Sequence, residues 1–163
     1  MPPLPADLDD LLARYARGPS LVRAAVNGVG PAVMARAGRG GWSVRDVLVH
    51  LADAELVRAA RLRFVLAAEV APTLPSFDEG VWKRRLQYLW RSPEAALALY
   101  DALVFGNVEL LRRFDGAAFG RVGIVDGVEV TVGELVRRGA VHAEEHAAQV
   151  GALRAELGDV GAG

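Results

Sequence analysis

The chain marks where its helices begin. Ser43 is followed three residues later by Asp46, Ser76 by Glu79 and Thr131 by Glu134, while Ser92 leads into Pro93-Glu94. A hydroxyl able to accept the third helical N–H, with an acid placed to reach back, is the signature of a helix N-terminus. Proline suits the first helical position. Four such starts commit the chain to a mostly helical fold. From Ser43 to about Val70 no glycine or proline interrupts, and further helices run from Pro93 to about Phe114 and from Val132 to about Leu157.

The intervening segments fill in the architecture. Pro5-Ala6-Asp7 opens a pattern with Leu8, Leu11, Leu12 and Tyr15 on one side. Gly18-Pro19-Ser20 interrupts it before a second short stretch, Leu21 to Val29. Residues 30–41 are glycine-rich and read as a loop, and residues 71–75, with two prolines, as a connection. A short helix is expected from Ser76 through Trp82, Leu86 and Leu89. Around Asp126-Gly127, Val and Ile alternate as in a small hairpin. The sum is an all-α four-helix bundle with a long crossover and a short β-like insertion before the last helix. It forms one domain over residues 1–163, with 157–163 as a frayed tail.

Composition mainly excludes. Nineteen basic against twenty acidic residues give a net charge of −1, without the basic excess of a nucleic-acid binder. The start MPPLPADLDD lacks the features of a secretory leader, and no apolar run is long enough to span a membrane. A cytoplasmic protein is the expectation. The chain has no cysteine, which removes disulfides, thiolate metal sites and a cysteine nucleophile.

Only three histidines occur: His50, His142 and His146. The last two are four apart on the final helix, about 40° apart around its axis and about 6 Å along it, a spacing that lets two imidazoles chelate one ion. On the second long helix, His50 shares a stripe with Val47, Ala54, Val57, Arg61, Phe64 and Val65, which is apolar except for Arg61. The final helix has Leu135, Gly139, His142, His146, Gln149 and Leu153 in line. All three histidines therefore point inward. Taken singly, an inward histidine is a core residue bonded to a neighbour, and a lone H-x-x-x-H pair also occurs on surface helices. Taken together, three buried imidazoles leave polar nitrogens in want of a partner, which favours a metal. Such a site suits Zn, Ni, Fe or Mn.

The stretches GWSVRDVLVHLADAE (Gly41 to Glu55) and TVGELVRRGAVHAEEHAAQVGALR (Thr131 to Arg154) resemble the DinB-like superfamily of four-helix bundles, which includes the YfiT-type metal-dependent hydrolases. Trp42, Ser43, Asp46, His50, Leu51 and Asp53 match its first motif; His142, His146 and Gln149 match the second. The resemblance implies an up-down-down-up bundle, frequently a homodimer, with Zn or Ni on the three histidines. It also implies chemistry on a small molecule, since relatives include enzymes that use a low-molecular-weight thiol.

Other residues are candidates around such a site. Asp53 and Glu145 are the nearby acids in sequence and candidate bases. Arg61, Tyr100 and Gln149 are candidates for holding a cofactor or substrate. Arg61 has a structural alternative, pairing with Glu69, Asp101 or Glu109, and Tyr100, which shares a helix face with Asn107, has core packing. The Trp82, Tyr88 and Trp90 group reads as a pocket wall or an interface. Three functions stay open: transfer of a thiol to an electrophile, hydrolysis of a small amide or ester, and a non-catalytic, stress-associated metal-binding bundle.

Overall fold

The computed structural model describes residues 4–158. Four helical columns form a bundle. The first is broken into α1 (Ala6–Ala16) and α2 (Gly18–Val26), the others being α4 (Val44–Ala67), α6 (Pro93–Leu111) and α7 (Val132–Leu157). The break in the first column is a single residue, Arg17, because Gly18 and Pro19 start the next helix. A proline in the first turn forfeits no helical hydrogen bond. Residues 30–41, expected as loop, contain the short α3 (Pro31–Ala35), again with proline at its start.

Helix α4 carries the full reciprocal cap read from the sequence. Ser43 Oγ accepts from the Asp46 N–H at 3.1 Å, and the Asp46 carboxylate accepts from the Ser43 N–H at 3.0 Å. Thr131 likewise caps α7 through the Glu134 N–H at 3.1 Å, but the Glu134 carboxylate turns away to Arg137 and Arg138.

The start assigned to Ser76 is wrong. Helix α5 (Glu79–Arg85) is capped by Asp78, whose carboxylate accepts from the Val81 N–H at 2.6 Å. Ser76 instead donates to Asp126 at 2.8 Å. The aromatic group near it also separates. Tyr88 is buried, Trp90 is 80% exposed, and Trp82 stacks on Phe77 with centroids 4.5 Å apart.

The β-like insertion is a hairpin, β2 (Val122–Val125) and β3 (Val128–Thr131). Asp126 and Gly127 both have positive φ, 50° and 79°, as a two-residue type I′ turn requires. A strand absent from the sequence reading, β1 (Thr73–Leu74), pairs parallel with β2, setting Thr73 opposite Ile124 and Leu74 opposite Val125. The long crossover between α4 and α6 is therefore fastened to the segment that precedes α7.

In the bundle, α4 packs on α6 and α7, and the first column packs on α7. At Gly139 on α7, an added Cβ would lie 2.6 Å from the Tyr15 ring, so glycine is what lets α1 approach. The first half of α4 is enclosed on every side: residues 46–55 are all buried, including the polar Asp46, His50, Asp53 and Glu55. In its second half only one face remains covered, by Leu62, Val65 and Leu66, and Phe64 is 57% exposed instead of inward. Among the described residues, no helix is long and apolar enough to cross a membrane.

Buried charge costs stability unless it is paired. Glu55, fully buried, accepts from Arg58 and from the Tyr15 hydroxyl, and Asn107 Nδ2 donates to it at 2.9 Å. One carboxylate thereby joins α1, α4 and α6. Replacing Glu55 by Ala strands the Arg58 cation and two neutral donors. The expected cost is about 3–5 kcal/mol, read as a lowered midpoint in urea denaturation with an unchanged slope.

Candidate metal centre

The three histidines converge. His142 Nε2 lies 3.0 Å from His50 Nε2 and 3.0 Å from His146 Nε2, and the three ligand atoms all lie within 4.8 Å of one another. His50 comes from the enclosed half of α4, and the other two come from successive turns of α7 that face it. Trp42, just before the α4 cap, meets the His50 ring edge-on at 5.6 Å.

The chemistry of this donor set fits a cation. His146 Nδ1 is 2.6 Å from Gln149 Oε1, an acceptor, so Nδ1 carries the proton and Nε2 presents a lone pair to the centre. Burial holds all three rings neutral. It is the first cause in lowering His50 to about 4 and His142 to about 2, and the neighbouring His146 and Arg58 add to both shifts. His146 is lowered as well, against the pull of Gln149, Glu79 and Glu145. Three neutral imidazole nitrogens that all turn lone pairs toward one point cannot satisfy one another. A divalent cation would satisfy all of them.

The remaining sequence candidates divide. Gln149 is at the site, bonded to His146. Arg61 lines the adjoining pocket, but its partner is the Pro75 carbonyl and none of the three acids considered for it: Nε donates there at 2.9 Å. Asp101 pairs with Arg23 and Glu109 with Arg113. Asp53, a candidate base by sequence, is not among the residues that line the pocket. It is buried, and Arg91 Nη1 donates to it at 2.6 Å, so its carboxylate anchors the segment before α6. Glu145 is exposed on the outer side of α7, close enough to act on His146 only through its charge. Tyr100 is buried in the core with its hydroxyl against Gly18, and Asn107 belongs to the Glu55 network, so neither lines the pocket.

The acid that does reach the centre is Glu79. Its Oε2 lies 3.6 Å from His50 Nε2, and the side chain is 62% exposed. The sequence offered Glu79 only as half of a capping box at Ser76. Once Asp78 takes the cap, Glu79 is released to face the histidines. A D-E pair after S-F is a signal that could have been read this way, because either acid can cap while the other projects.

Residues 14–150 match the family model of the DinB superfamily. The chain belongs to the DinB superfamily. A relative from Geobacillus kaustophilus, named "putative metal-dependent hydrolase", is 32% identical over 155 residues, covering 93% of this chain and 86% of its own. One of the same designation from Bacillus licheniformis is 30% identical over 121 residues, 73% of this chain and 68% of that one. The solved structure of YfiT from Bacillus subtilis, described as "a probable metal-dependent hydrolase with an unusual four-helix bundle topology", superimposes with a TM-score of 0.86 at 23% identity. That match spans 97% of this chain and 92% of the other. It establishes that this DinB-superfamily chain shares the YfiT bundle.

Two measurements check the centre. Metal-free protein should lose thermal stability as the pH falls from about 6.5 toward 4. Over that range the unfolded histidines take up protons that the folded ones refuse. Equilibrium dialysis should find one divalent ion per chain, and His142→Ala should abolish tight binding.

Proposed function

We propose that this protein hydrolyses a small ester or amide, with a divalent ion, Zn or Ni, held by His50, His142 and His146. Glu79 serves as general base. The observation that carries the proposal is the Glu79 carboxylate, 3.6 Å from a ligand nitrogen and open to the pocket. The designations of the Geobacillus and Bacillus relatives support the same reaction class. A cation on three imidazoles supplies Lewis acidity and lowers the pKa of water.

The chain's own groups do the rest. Glu79 Oε2 accepts a proton as a water oxygen forms its bond to the substrate carbonyl carbon. The same carboxylic acid then returns that proton to the departing alkoxide or amine as the C–O or C–N bond breaks. Gln149 fixes the His146 ring so that Nε2 stays unprotonated. Burial keeps His50 from competing for the proton. Asp53, held by Arg91, positions the first half of α4 without touching substrate.

Transfer of a low-molecular-weight thiol to an electrophile is a second reading of the same centre. In that reaction the sulfur arrives on a small molecule, because the chain has no cysteine. A panel of small esters and amides, assayed with Zn- or Ni-loaded protein with and without added thiol, separates the two. Turnover without thiol, lost in His142→Ala, is the expected result. Glu79→Gln should keep its metal and its KM while kcat falls about 10²–10⁴-fold. Unchanged kcat in that variant would remove the carboxylate from the reaction, and turnover only with thiol would select the second reading.

A further inference from the structure

The pocket beside the histidines has a volume of about 410 Å³, within the range of sites for small organic ligands. His50 and His142 form one end, Phe77 and Leu135 contribute apolar wall, and three arginines, Arg58, Arg61 and Arg138, border it. Two of these cations are already answered. Arg58 is paired with the buried Glu55, and Arg138 Nε donates to Glu134 at 2.8 Å.

Arg61 is different. Its Nε and Nη2 both donate to the Pro75 carbonyl, a neutral acceptor, and among the described residues no carboxylate lies within ion-pair distance of its guanidinium. Burial lowers its pKa, Arg58 and Arg138 push the same way, and Asp126 opposes them. A half-buried guanidinium in such surroundings gains from any anion that enters. The Pro75 contact also fixes the fork in place before a ligand arrives, which limits the ordering cost of binding.

We propose that the substrate of this site carries a carboxylate, and that Arg61 is the residue that binds it. The proposal rests on the histidine centre being where the reaction occurs. Arg61 is three turns from His50 on α4, about 16 Å by helix rise. Both residues line the one pocket, so a ligand can place its reacting group at the histidines and its carboxylate at Arg61. Asp78 and Glu79 also line the wall. They disfavour a second negative charge, so a monoanion is selected over a dianion such as a phosphate monoester.

Binding of butyrate and of its neutral isostere butyramide, followed by titration calorimetry on metal-free protein, tests this apart from any reaction. Butyrate should bind and butyramide at least about tenfold more weakly, as expected for loss of one charge-assisted contact. Arg61→Gln should erase that preference, and Arg61→Lys should keep part of it. The comparison of the two ligands on unaltered protein stands even if a variant unfolds. Equal binding of acid and amide, binding only when metal is present, or a preference surviving in folded Arg61→Gln would each overturn the assignment. If butyrate binds as expected but the ester and amide panel shows no turnover, the hydrolase reading fails and the carboxylate site stands.

Discussion

A single buried carboxylate sets the terms for the rest of the molecule. Glu55 stands in the part of α4 that is closed on all sides, where an unpaired charge is intolerable. Its partners come from three helices, so the bundle must assemble in one register to satisfy it. Apolar packing of Val, Leu and Ala alone would permit sliding between helices. The polar network does not, and it fixes the rotation of α4 that turns His50 toward α7. Arg58 belongs to both worlds: it neutralises Glu55 inside the core and borders the pocket, where its charge disfavours protonation of His50 and His142.

Much of this was legible in the residues. Helix phase alone put His50, His142 and His146 on inward faces, because long uninterrupted helices carry angular information over several turns. The Ser43–Asp46 cap and the Asp126-Gly127 turn were equally readable, since each depends on residues within four positions of one another. The YfiT-like bundle and the DinB membership agree with those readings.

What escaped the sequence depended on contacts between distant segments. Glu79 was hidden because Asp78, and not Ser76, caps α5, which leaves the Glu79 side chain free to face the histidines. Strand β1 is two residues long and exists because β2 pairs with it, so no local pattern could announce it. Asp53, a candidate base by sequence, is held by Arg91, thirty-eight positions away. Phe64 departed from its stripe because the second half of α4 is covered only on the face of Leu62, Val65 and Leu66. Lys83, the chain's sole lysine, is a further case. It reaches Asp46 at 3.2 Å and lies over the Trp42 ring, tying α5 to the start of α4.

The pairing of β1 with β2 has a consequence for how such a protein can diversify. The histidines sit on the two long helices, whereas Phe77, Asp78 and Glu79 hang from a short span pinned at one end by the sheet and at the other by Lys83. That span is a replaceable cassette: its length and residues can change while its two anchor points hold. Phe77, Asp78 and Glu79, which face the pocket from this span, can thus be exchanged without disturbing the helices that carry His50, His142 and His146.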